Sequence, residues 1–147
     1  MGTEKYLVKN DRYEKLADYI YKSQKKIFKY GDMDCAIFTV GAVDAQLGTK
    51  LNSKLFGKYK DLKSGIHKIK EIAKGGYLKA IQKICKDNKF KEISPGYAQR
   101  GDVCMMKDNG KTIMGVIGLN NKPIFITKEL GIIELENNVI QKVWRIS

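Results

Sequence analysis

Apolar positions across residues 11–28 fall at Tyr13, Leu16, Ala17, Ile20, Ile27 and Phe28, the three-to-four spacing of an amphipathic helix with Lys and Asp on its other side. Gly31 interrupts the stripe. The next stretch begins at Cys35 and ends near Gly48, and carries Ile37, Phe38, Val40, Ala42, Val43 and Leu47 with no polar face over its first turns. A helix of that kind is buried on all sides, so it is the expected core helix. Asp34 stands directly before it, where a short acidic side chain accepts from the open amides of a helix start. Two amphipathic helices follow, one marked by Leu62, Ile66, Ile69 and Ala73, the other by Leu78, Ile81 and Ile84 or Cys85, with Gly75 and Gly76 between them.

Pro95 and Gly96 mark a change of period. From Gly101 onward, "DVCMMK", "TIMGVIGL", "KPIFIT", "GIIELE" and "IQKVWRI" are short runs rich in β-branched and aromatic residues, separated by turn-forming segments. Asn109 with Gly110, and Asn120 with Asn121, suit tight hairpins. The pattern predicts a five-strand antiparallel meander, curled into a partial barrel and packed on the Cys35 helix. Helices first and strands second give an α+β class, as one domain over residues 1–147 with a helical half at about 11–90 and a β half at about 101–146.

Charge adds a second feature. The chain carries a net +12, and residues 50–91 hold thirteen lysines against Asp61, Glu71 and Asp87. Lys63, Lys68, Lys70, Lys74, Lys79 and Lys83 form the expected basic face of the middle helices. Arginine, the residue suited to bidentate recognition of phosphates and base edges, occurs only at positions 12, 100 and 145. That argues against sequence-specific DNA reading and leaves loose attraction to nucleic acid, an acidic partner or an anionic surface. Cys35, Cys85 and Cys104 lie far apart, with no CxxC and one histidine, so the expectation is three reduced thiols, no zinc site and no cofactor. No stretch reaches the roughly 18 apolar residues of a membrane span. The first fifteen residues are too charged for a secretory leader.

The motif order resembles the papain-like fold of NlpC-type cell-wall peptidases, in which a "DC" pair opens the core helix, a "GD" pair begins the sheet, and a histidine begins the next strand in a pattern close to "HVGIY". Here "DCAIF" at residues 34–38 matches the first element and "RGDV" at residues 100–103 the second. Aligning "MGVI" at residues 114–117 with the third places Ile113 where the histidine belongs. The chain is more closely similar to a small family found among bacteriophage tail genes and prophages, with the pattern "F.WG..DCALF", a glycine ending the core helix, "Y", "A.RGDVV", "LGI" and a terminal "W". The matching residues are Phe28, Tyr30, Gly31, 34–38, Gly48, Tyr59, Ala98, 100–103, 114–116 and Trp144, with Tyr30 in place of the tryptophan. This resemblance implies a single papain-like domain and a virion component of the tail or neck, made in the bacterial host cytoplasm, whose partners are other phage virion or tail proteins.

Peptidase resemblance makes Cys35 the candidate nucleophile, with Asp34 and Asp102 beside it as candidate acids. A cysteine nucleophile needs thiolate character, which a helix N-terminus favours, and a histidine to move protons. The first condition is met; the only histidine, His67, lies on a Lys-rich helix, and the adjacent Asp34 charge disfavours the thiolate. Each residue also has a structural reading. Cys35 can be a small core residue, Asp34 a helix cap, and Asp102 a strand terminator or partner of Arg100. Cys85 and Cys104 read as packing residues, with Cys104 alternating with the polar side of its strand, and Trp144 closes the core or docks on a neighbouring subunit. Three functions follow: a phage assembly component with a degenerate site, an active cysteine peptidase or amidase on peptidoglycan peptides, and a basic protein in non-specific contact with nucleic acid.

Overall fold

The computed structural model describes residues 2–75 and 77–146, with only the backbone placement described for residues 2–10 and 77. Among the described residues four helices, α1 (Gly2–Ser23), α2 (Cys35–Leu47), α3 (Leu62–Ile72) and α4 (Tyr77–Asp87), precede six strands. The strands are β1 (Lys91–Ile93), β2 (Val103–Asp108), β3 (Lys111–Ile117), β4 (Pro123–Thr127), β5 (Gly131–Glu134) and β6 (Lys142–Arg145). Short 3₁₀ turns cover Leu51–Lys54, Pro95–Tyr97 and Asn137–Val139. The class is α+β, four N-terminal helices packed on an antiparallel open sheet. No helix among the described residues is long and apolar enough to cross a membrane.

α1 ends at Ser23, so Ile27 and Phe28 lie outside the helix that their spacing suggested. The chain reverses there instead: Lys29 and Met33 exchange two backbone hydrogen bonds of 3.0 and 2.9 Å, and Phe28 meets Tyr30 edge-on at 5.0 Å. Ile27 is left 86% exposed. α2 is central, as its apolar circumference requires. Its N-cap is Asp34 and its C-cap Gly48, left-handed at φ 71°. Phe38 and Ala42 pack with Leu16 of α1 on one side and Val116, Ile124 and Ile126 of the sheet on the other. Further along, Val43 packs with Val103, Met105, Met114 and Trp144. Burying each of the large side chains stabilises the domain by about 1.5 to 3 kcal/mol. Gly75, left-handed at φ 106°, precedes α4, and Gly76, its expected companion, lies outside the described residues.

The sheet order is β1-β6-β2-β3-β4-β5. β2 to β5 form the expected meander, turned at Asn109 and Gly110 with φ 50° and 77°. β6 does not extend it. It returns to pair with β2, opposing Val103 to Trp144, which gives a Greek-key return. β1 then adds to the free side of β6, so the sheet has six strands with β1 and β5 as edges and does not close into a barrel. Both faces are apolar at the centre. Val103, Met105, Met114 and Val116 face α2, whereas Cys104, Met106, Ile117, Phe125 and Val143 form a second core layer, covered by Leu135, Val139 and Ile140 rather than by a helix. Cys104, 0% exposed, is the packing residue that the sequence suggests, but the side of β2 that alternates with it, at Val103 and Met105, is apolar and buried rather than polar. Trp144, 2% exposed, closes the domain's own core and is not available to a neighbour.

Candidate functional site

The DC pair sits where the chain enters α2, and its surroundings come from two loops. Gly31 is left-handed at φ 81°, and an added Cβ there would overlap the Tyr59 carbonyl. The Gly31 carbonyl accepts from the Gly57 amide at 2.8 Å, so the loop before α2 is fastened to the loop before α3. This fastening delivers Tyr59 to Asp34, twenty-five residues away.

Asp34 is 3% exposed, and its carboxylate receives three donors. The Ile37 amide donates to Oδ1 at 3.0 Å, the N-cap bond that the sequence predicts. The Gly31 amide donates to Oδ2 at 3.0 Å, and the Tyr59 hydroxyl donates to the same oxygen. Burial raises the Tyr59 hydroxyl pKa, and the Asp34 hydrogen bond and charge and the charge of Cys35 raise it further, so the phenol stays protonated as a donor. Cys35 is the first residue of α2, partly exposed, and packs against the cluster of Met33, Phe38, Ile126 and neighbouring apolar side chains. Asp34, Cys35 and Tyr59 are thus one constellation at one helix end.

The other candidates are elsewhere. Asp102 is 0% exposed and serves as the anion of an ion pair: Arg145 donates to it through Nε at 3.0 Å and Nη2 at 3.1 Å, and the Gln99 amide donates at 2.8 Å. Its partner is therefore Arg145, not Arg100. The adjacent Gly101 carbonyl accepts from Gln46 Nε2 at 3.2 Å, near the C-terminal end of α2. Eleven residues of rise separate Gln46 from Cys35, about 16 Å at 1.5 Å each, so Asp102 does not belong to the Cys35 constellation. His67 lies on α3 with its side chain 78% exposed and Nε2 3.4 Å from Glu71 Oε1. Ile113, at the position of the peptidase histidine, packs with the second core layer, on the sheet face away from α2. A side chain there points away from the helix that carries Cys35.

Cys85 and Cys104 are buried packing residues. Burial, reinforced by the Glu92 charge, pushes the Cys85 thiol up to about 12, and burial with the Asp102 charge raises that of Cys104. No group of three or more metal-ligating side chains occurs among the described residues. Of the basic face, Lys63, Lys70, Lys74 and Lys79 are exposed, while Lys68 and Lys83 pair within their helices with Glu71 at 3.3 Å and Asp87 at 2.8 Å. Tyr59 is the member that sequence reasoning missed. It stood in the matched pattern only as a "Y", and the sole local hint was its place ahead of the Asp61 cap of α3.

No curated protein matches the chain in sequence. The sequence profile of a domain of unknown function, DUF6950, matches residues 9–146, nearly the whole chain, and the protein belongs to that family.

Proposed function

We propose that the protein is a bacteriophage virion or tail-associated component: a papain-like domain in which the DC pair has become a helix start, working as a binding or assembly module on other tail proteins. The observation that carries this reading is the use of Asp34. Its carboxylate caps α2 and anchors Gly31 and Tyr59, while the only histidine of the chain stands on the exposed face of α3 beside Glu71. A cysteine hydrolase needs its base within hydrogen-bond reach of the thiol or one water away. The test is a phage or prophage carrying Cys35→Ala and Cys35→Ser. Particles of both variants are expected to assemble, incorporate the protein and infect normally. Normal assembly with loss of wall-degrading activity in a muropeptide assay would overturn the proposal.

The second reading, a cysteine amidase acting on peptidoglycan peptides, draws on one feature, the partly exposed thiol at the first position of α2. It requires rapid single-site alkylation of Cys35 with a pH midpoint well below about 8.5. The third, contact with nucleic acid through the exposed lysines of α3 and α4, requires binding that is independent of sequence and weakens steeply with salt.

A further inference from the structure

All three arginines of the chain meet at one turn, the Gly101–Asp102 entry to β2, and Asp102 answers only one of them. Arg145 takes both oxygens of Asp102 and also donates through Nη2 to the Tyr97 carbonyl at 2.7 Å, so that charge is matched. Arg12 reaches the same turn from α1, its Nη2 standing 3.0 Å from where a Cβ on Gly101 would lie. Its Nε donates at 2.9 Å to Gln46 Oε1, a neutral oxygen. Asp11, next to it in the chain, is paired with Lys15 at 3.0 Å. Arg100 precedes Gly101 and is exposed, with no ion pair of its own among the described residues.

Arg12 is held more firmly than a tie between α1 and the turn requires. Gln46, 6% exposed, is fixed through Nε2 to the Ala42 and Gly101 carbonyls at 3.1 and 3.2 Å and turns its oxygen to the guanidinium. Gly101 is buried and left-handed at φ 87°, and a Cβ there would overlap that oxygen. The tie uses Nε alone. The four N–H groups on Nη1 and Nη2 have no acceptor among the described residues, and they form the end-on fork that fits a carboxylate bidentately. Aromatic rings complete the surface: Tyr13 lies under Arg12 at 5.4 Å, and Tyr97 is 73% exposed. Tyrosine and arginine carry binding energy at protein interfaces, whereas lysine is depleted there. We infer that this turn is the docking face for an acidic segment of a partner protein, whose carboxylates seat on Arg12 and Arg100 beside Tyr97. The inference rests on the assembly reading and supplies its contact surface. A nucleic acid fits less well, because its successive phosphates need a basic track rather than two cations at one turn.

The probe is a blocked hexaglutamate peptide, titrated into the isotope-labelled full chain and followed by NMR at the backbone amides and the arginine Nε–H groups, with hexathymidylate as the control. Hexaglutamate is expected to shift Arg12, Tyr97, Arg100 and Gly101 saturably, and hexathymidylate to bind that turn at least tenfold more weakly. Arg12→Lys keeps the charge and loses the fork, and Arg100→Ala removes one exposed cation; each should weaken the peptide about tenfold. Lys74→Ala, which removes one charge from α3, should change it less than twofold. If Arg12→Lys fails to fold, Arg100→Ala and Lys74→Ala decide alone. Shifts centred on α3 and α4, shifts that never saturate, equal losses in Arg100→Ala and Lys74→Ala, or hexathymidylate bound as tightly at the turn would each overturn the proposal. None of these outcomes bears on the Cys35 variants, which test the assembly reading separately.

Discussion

Replacing Asp34 by alanine tests whether the DC pair is a structural device, because the structure gives the carboxylate three donors and each has a cost when deserted. Loss of the N-cap bond to the Ile37 amide costs about 1 kcal/mol. The buried Gly31 amide and the partly buried Tyr59 hydroxyl would then lose their acceptor, at about 1 to 3 kcal/mol each. Together the expected loss is about 3 to 7 kcal/mol, a large part of the 5 to 15 kcal/mol that holds a domain folded. Asp34→Asn should lie between, at about 1 to 3 kcal/mol, since its oxygen can still cap Ile37 while its amide group meets the Gly31 N–H donor to donor.

Urea unfolding at pH 7, with a shared slope confirming two-state behaviour, reads these values directly. Tyr59→Phe supplies the internal control. Alone it removes a donor and leaves Asp34 two partners, costing about 1 to 2 kcal/mol. On the Asp34→Ala background it removes an orphaned hydroxyl, so the double variant should be no less stable than Asp34→Ala. An Asp34→Ala loss below 1 kcal/mol, or strict additivity of the two changes, would refute the assignment of Asp34 as the anchor of this loop pair. The residue would then have to be explained by chemistry.

In the native protein at pH 8, iodoacetamide should modify neither Cys85 nor Cys104, because both thiols are buried and held protonated; mass mapping of modified peptides checks this. Stability should fall with rising pH, since the unfolded thiols release protons near pH 9 while Cys85 keeps its proton to about 12. Each retained proton lowers the unfolding free energy by about 1.4 kcal/mol per pH unit over that window, measurable as a falling urea midpoint from pH 8.5 to 10.5. Arg145→Ala strands the buried Asp102 carboxylate and should cost about 3 to 5 kcal/mol, whereas Arg100→Ala should stay within about 0.5 kcal/mol by the same assay. Gly31→Ala meets both a left-handed backbone and the Tyr59 carbonyl, so it should lower the melting temperature by several degrees and weaken the Asp34 coupling to Tyr59.

Features written in local periodicity were legible in the chain. Apolar spacing located α2, α3 and α4, Asp34 marked the cap, and Asn109 with Gly110 placed the β2–β3 turn with both residues at positive φ. α1 was legible in type but not in extent, because its end depends on the reversal at residues 29–33, where Lys29 bonds to Met33. β1 has three residues, too few for an alternating pattern to appear. Nothing local distinguishes a last strand that extends a meander from one that returns to β2; the choice is made by burial of Trp144 against α2 and Val143 against the opposite layer. A polar side was expected to alternate with Cys104 along β2 for the same reason, since alternation identifies two faces and cannot reveal that both are covered.

The same distinction governs the site. The cap bond from Ile37 to Asp34 spans three residues and could be read from the sequence, but the bonds from Tyr59 to Asp34 and from Arg145 to Asp102 span twenty-five and forty-three. Both long bonds place a buried acid on a structural partner, and neither partner was assignable from spacing alone. That bears on how a DC pair is to be read in any chain of this kind. An aspartate in front of a core helix is stabilising whether or not the next residue attacks a substrate, because the open amides and the helix dipole favour it in either case. The pair can therefore outlast a catalytic histidine without any selection for chemistry, and the discriminating feature is not the pair but what stands opposite it. Here the neighbour is a phenol held protonated by burial and by the very carboxylate it serves, and such a group is suited to fix a loop rather than to take a proton from a thiol.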